Sequence, residues 1–262
     1  MNPKTMATAT RPQAGSPVNA TRKIALVVGV LFLATFVTSI AAFFAYGPVL
    51  TDAHYIMGTG GDTRVFLGAF LELLLIISNI GCALVLFPLL KRQNEAVALG
   101  YVAERLVEGT FILIGILSVL AIVTLRQGAS GVDAGSLVTV DKLLIAVKNW
   151  TFLLGPGFMD GIGTGLMLGW LMYRSGLLSR RVALLGVIGG PLLAASGIAV
   201  LFGLFKAGSP MQGIATIPEF VWEAYLALWL TFKGFNPVAL GADETFEVRA
   251  AAGSPIDAVV AA

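Results

Sequence analysis

Six acids and one arginine stand inside long apolar stretches of the chain: Glu72, Glu104, Arg105, Glu108, Asp160, Glu219 and Glu223. A charged side chain near the centre of a bilayer costs about 2.5–3.5 kcal/mol on insertion scales, so each of these needs a partner or a wet cavity. The densest stretch is Tyr101-Val102-Ala103-Glu104-Arg105-Leu106-Val107-Glu108. Helical spacing puts Arg105 on one face with Glu108 and Tyr101, which allows an ion pair and a stack over the ring. Asn79 follows Glu72 by seven residues and shares its face; Glu219 and Glu223 are four apart and share theirs, with Trp222 beside them. Six carboxylates facing one guanidinium cannot all be ionised in a dry bundle. Either some hold protons, because burial disfavours the charged form, or a cation or a water-filled cavity compensates them.

The chemistry this points to is binding, or proton-linked movement, of a small polar or cationic solute. Its lining would be Glu72, Asn79, Tyr101, Arg105, Glu108 and Glu223, with Glu104, Asp160 and Glu219 as secondary polar residues. The expected depths put Glu72 and Glu223 about two turns in from the outer side and Glu108 and Asp160 near mid-bilayer. That arrangement fits a cavity open to the outside with Arg105 at its floor. The same residues admit a plainer reading. Arg105, Glu108 and one neighbouring acid form a buried ion network that only fixes helix register, while Glu104 and Glu219, nearer the interfaces, snorkel to water.

The elements that must position these residues are membrane helices. The chain has 262 residues, 57% hydrophobic and 12% charged, with a mean hydropathy of +0.88. A soluble domain is roughly 25% charged, so half the usual charge is missing. Six long apolar runs follow, at about 24–46, 65–88, 98–125, 150–173, 183–205 and 217–235. Each must satisfy its own backbone in lipid, and continuous rather than alternating apolar runs exclude a β-barrel. The fold class is an all-α integral membrane bundle of six transmembrane helices, occupying residues 22–238. Residues 1–21 read as a disordered N-terminal tail and 239–262 as a flexible C-terminal tail. Residues 47–64 read as a loop and 126–147 as a polar connection carrying a short interfacial helix from Asp141 to Lys148. Gly189-Gly190-Pro191 predicts a kink, and Pro218 sits near the first position of the last helix.

Lys and Arg set the orientation. Eleven of the 17 fall on the side that carries both termini, five on the other, and Arg105 within a span, which places both termini in the cytoplasm. Tyr46 and Trp150 fall at outer ends, Trp170 and Tyr173 at an inner one.

Other motifs are weaker. Gly161, Gly165 and Gly169 form small-residue steps, as do Gly186, Gly190 and Ala194. They suit packing between the fourth and fifth spans, or a homo-oligomer formed through these faces. Cys82 is the sole cysteine and His54 the sole histidine, so no disulfide, thiolate site or histidine cluster can form within the chain. No metal and no cofactor is expected. The Gly58–Gly61 run is turn chemistry, His54 and Asp52 lie in an outer loop, and Ser78 lacks a basic partner. No catalytic residue is assigned. The net charge of +2 gives no reason to expect a nucleic-acid partner; the partners are the bilayer and an unknown small solute.

Several segments carry a resemblance in combination. They are Tyr46-Gly47-Pro48-Val49-Leu50, Leu86-Phe87-Pro88-Leu89-Leu90-Lys91-Arg92-Gln93-Asn94, Ala98-Leu99-Gly100-Tyr101, Leu154-Gly155-Pro156-Gly157, Tyr173-Arg174-Ser175-Gly176, and Trp222-Glu223 with Lys233-Gly234-Phe235. From about Arg22 to Phe235 the chain resembles the bacterial multi-pass membrane family catalogued as Domain of Unknown Function 4386. The resemblance implies a six-helix protein of the bacterial inner membrane and no particular activity. Glu72, Arg105, Glu108 and Glu223 fall at positions that match the family pattern, whereas Glu104, Asp160 and Glu219 depart from it. The expected function is binding or transport of a small polar or cationic solute with proton coupling. The alternative is a structural or regulatory membrane protein whose ion network only specifies packing.

Overall fold

Helices begin where short polar side chains can hold the first N–H groups that lack an intrahelical acceptor. Asn94 accepts from the Val97 N–H at 3.0 Å, Asp133 from Ser136 at 2.8 Å and Ser209 from Gln212 at 3.4 Å. The computed structural model describes residues 17–52, 54–58, 61–128, 131–236 and 239. Its helices are α1 Pro17–Thr51, α2 Asp62–Leu90, α3 Glu95–Gln127, α4 Ala134–Phe152, α5 Gly169–Ser175, α6 Arg180–Leu201 and α7 Pro210–Phe232. Between α4 and α5 the backbone stays helical but widens into two π segments, Leu153–Met159 and Gly161–Leu168. Residues 134–175 are therefore one rod, and the described chain is six rods with no strand.

Four of the six, Thr21–Thr51, Asp62–Leu90, Glu95–Gln127 and Arg180–Leu201, are long and apolar enough to cross a membrane. The other two carry Asp160, Glu219 and Glu223. Neighbouring rods close a ring: α1 packs on α2, α2 on α3, α3 on the α4 rod, the rod on α6, α6 on α7, and α7 back on α1. Arg22 locks the closure by donating to the Leu230, Thr231 and Phe232 carbonyls at the end of α7, at 2.9, 2.7 and 3.2 Å. Large apolar side chains such as Phe43, Phe44, Phe70, Ile77 and Leu117 point outward, as lipid-facing residues do.

Several expectations are corrected. The described part of the expected N-terminal tail, residues 17–21, is already helical; of the expected C-terminal tail, all but residue 239 lies outside the described residues. α1 runs through Gly47-Pro48 instead of ending there. Pro48 has no N–H for the Phe44 carbonyl, and Arg64 from α2 donates to that oxygen at 3.1 Å. α6 is unbroken through Pro191, and α7 starts at Pro210, which leaves Pro218 inside it. The short interfacial helix is the body of α4, started by its Asp133 cap.

That last change moves Lys148 from an outer loop to the bundle interior. Its Nζ lies 2.6 and 2.7 Å from the two Glu72 oxygens, and Tyr46 donates its hydroxyl to the same carboxylate at 3.0 Å. The ammonium also sits over the Tyr46 ring, 4.8 Å from its centre. Glycines make the room. A Cβ on Gly115 would fall 3.2 Å from Lys148 Nζ, and one on Gly68 would fall 2.7 Å from the Tyr46 ring. Farther out on α4, Asp141 is buried, and neither of its oxygens has a hydrogen-bond partner among the described residues. Burial, and then the charge of Asp52, push its carboxyl above the ordinary value.

The two small-residue stripes face each other inside the chain. A Cβ on Gly161 would lie 2.6 Å from the Gly190 carbonyl, and one on Gly169 would lie 2.9 Å from the Val187 nitrogen. Backbones this close have no room for a methyl group.

Three outcomes follow for unfolding measured in detergent. Gly190→Ala lowers stability by about 1–3 kcal/mol through overpacking, whereas Gly47→Ala, with open space around it, costs nothing. Lys148→Met costs about 3–5 kcal/mol by leaving Glu72 buried without its cation, and adding Glu72→Gln recovers most of the loss. Asp141→Asn raises the unfolding temperature at alkaline pH, with a gain that shrinks toward acid pH. The sign follows because a carboxyl with a raised folded-state pKa favours folding when protonated and loses that contribution as pH rises through the folded value.

Candidate functional site

Halfway along the ring the inward faces turn polar. α3 brings Tyr101, Glu104, Arg105 and Glu108, about two to four turns in from its Asn94 cap. Asp160 occupies the junction of the two π segments, and α7 brings Glu219 and Glu223 one turn apart. An apolar cluster that includes Leu86, Leu168, Trp222 and Leu226 closes one side of this layer, and another that includes Val49, Ile56, Val119 and Ile122 closes the other.

Arg105 is the hub. Its Nη1 bonds Glu108 Oε2 directly, and its Nη2 lies 2.9 Å from Asp160 Oδ1 and 3.8 Å from Glu223 Oε1. Its Nε lies 3.8 Å from Glu104 Oε2. The guanidinium carbon sits 5.6 Å from the centre of the Tyr101 ring. Asn79 donates from Nδ2 to Glu108 Oε2 at 3.2 Å, so α2 joins the cluster. The structure thus assembles Asn79, Tyr101, Arg105, Glu108 and Glu223, together with Glu104, Asp160 and Glu219. Glu72 stands apart. It lies on the Asn79 face of α2, about 10 Å along the axis, and its partners are Lys148 and Tyr46. The expected convergence of Glu72 with Glu223 is not what the chain builds. The charge balance changes with it: Lys148 neutralises Glu72, which leaves five acids around Arg105.

These acids occupy a closed junction and not the floor of an open cavity. Arg105 is 2% exposed, Glu108 3% and Glu104 6%. A cavity of about 360 Å³ lies elsewhere, bounded by Leu177, Trp229, Lys233 and Phe235 at the end of α7. Expectation also placed Glu104 and Glu219 close enough to the interfaces to reach water. Both are buried instead, and neither carboxylate has a hydrogen-bond partner among the described residues.

The π segments explain how two more carboxylates fit. Gly163 faces the Glu104 side chain, and a Cβ on Gly165 would fall 2.6 Å from Glu219 Oε2. The widened helix also leaves the Thr164 carbonyl to accept from Trp222 Nε1 at 3.0 Å, which pins α7 against this rod. π-bulges are frequent at functional sites. The sequence reading missed them, along with Lys148 and Tyr46 as partners of Glu72. One signal was available: Asp133 is a good helix N-cap, and a helix begun there carries Lys148 inward. Nothing in the residue pattern marks a π turn.

Neither a curated protein nor a solved structure matches this chain. The family model described as Domain of unknown function (DUF4386) matches residues 27–234, and the chain belongs to that family.

Proposed function

We propose that this protein is a six-span bundle of the bacterial inner membrane, with both termini in the cytoplasm, that binds a small cation in its interior and exchanges it for protons. The observation that carries this reading is the uncompensated charge at membrane depth. Five carboxylates surround one guanidinium, and Glu104 and Glu219 are buried with no donor to either oxygen among the described residues. Groups in that state hold a proton or a cation, because a bare buried charge is too costly. The widening of the fourth rod into π turns at Leu153–Met159 and Gly161–Leu168 adds support, since π-bulges are frequent at functional sites. The six-rod ring and the excess of Lys and Arg at the end holding Arg22 and Lys233 support the topology.

A second reading rests on a separate observation. Arg105 and Glu108 are almost wholly enclosed and directly paired, as they would be if the network served packing alone.

A vesicle assay separates the two. Full-length protein is reconstituted with a pH dye inside, and an inward gradient of Na⁺, K⁺ or Ca²⁺ is applied. Cation entry coupled to proton exit raises the internal pH, and Glu223→Gln slows that response at least about tenfold. If the folded wild-type protein responds no faster than empty vesicles to any of these ions, exchange is ruled out and the packing role stands.

A further inference from the structure

The carboxyl groups of Asp160, Glu219 and Glu223 meet at one point. One oxygen of each lies within 4.8 Å of the other two. They arrive from different elements, Asp160 from the π junction and the two glutamates from successive turns of α7.

Glu219 sets this group apart from an ordinary ion network. It is 1% exposed and neither oxygen has a partner among the described residues. It is nevertheless held in place: Gly165 leaves the space its carboxylate enters, and Gly189 lets its backbone come close, 2.6 Å from where a Cβ would stand. The backbone around it is built to hold a carboxylate that no described residue satisfies.

We infer that Asp160, Glu219 and Glu223 form a site for a hard divalent cation of the calcium or manganese class. This rests on the cation-binding reading above and specifies the ligands and the charge. The donor set is carboxylate oxygen alone, which selects hard cations. Arg105 carries one positive charge, between Glu108 and Asp160 and 3.8 Å from both Glu104 and Glu223, so the five carboxylates outnumber it by four. A divalent ion offsets two of those charges where a monovalent ion offsets one, and protons on the rest complete the balance. Three atoms with this spacing leave a point no more than about 2.8 Å from any of them, so a contraction of a few tenths of an ångström reaches calcium–oxygen distances of about 2.3–2.6 Å. Magnesium, which keeps several waters, suits so enclosed a site poorly. The Glu223 side chain is 20% exposed and Asp160 12%, so the ion would enter past them and meet Glu219 last.

Manganese tests the site in the full chain purified in detergent, with electron paramagnetic resonance reading the unbound ion. The wild type takes up about one Mn²⁺ per chain with saturation, Ca²⁺ competes, and Na⁺ does not. Glu219→Gln and Glu223→Gln each weaken binding at least about tenfold, while Glu95→Gln, exposed at the start of α3, leaves it unchanged. Circular dichroism confirms that each variant is folded. No saturable uptake by the folded wild type overturns the site, as does uptake that both glutamine variants retain. Proton exchange driven by Na⁺ or K⁺ without Mn²⁺ binding overturns the divalent site and leaves the function proposed above standing. Mn²⁺ binding without flux supports the site and counts against exchange.

Discussion

A buried guanidinium must be met by acceptors on every side, and Arg105 meets this need with four carboxylates from three different rods. No two of those rods could supply the set. α3, the α4 rod and α7 must reach the same depth with the correct rotation, or a charge is left in a low dielectric where it costs several kcal/mol. Much of the remaining architecture follows from that demand. The ring closes through Arg22 on α7, Trp222 pins α7 to the π segment, and apolar clusters seal the polar layer from both sides.

Excess acid makes the same layer unusual as a structural device. A network meant only to fix register needs as many cations as acids. The second polar knot meets that standard: Lys148, Glu72 and Tyr46 form a matched set with both carboxylate oxygens engaged. The Arg105 layer does not, and its surplus lies on the side of the widened helix. The matched knot is complete as it stands, whereas the other leaves Glu104 and Glu219 with no hydrogen-bond partner among the described residues.

Glycine links these two features. Gly163 and Gly165 admit Glu104 and Glu219, Gly115 admits Lys148, and Gly161 and Gly190 let the fourth rod and α6 touch backbone to backbone. In a membrane, where association of helices draws little on the hydrophobic effect, close approach and polar contacts carry the packing. The small-residue stripes are thus taken up by the monomer, facing one another across the rod and α6.

Composition and hydropathy alone determined that the chain is helical and that several of its helices are apolar enough to cross a membrane, because lipid leaves a long continuous apolar backbone no better way to satisfy itself. The spacing of Tyr101, Arg105 and Glu108 on one helix face likewise made their contact legible, since it depends on local geometry. Two things were decided by tertiary structure. One was the partner of Glu72, because Lys148 reaches it across 76 positions of sequence from a helix whose start depends on the Asp133 cap. The other was the burial of Glu104 and Glu219, which depends on π turns that shift every later residue of the rod around its axis. Periodicity reads one helix at a time; the meeting of five acids at Arg105 depends on the relative depth and rotation of separate rods, which packing sets.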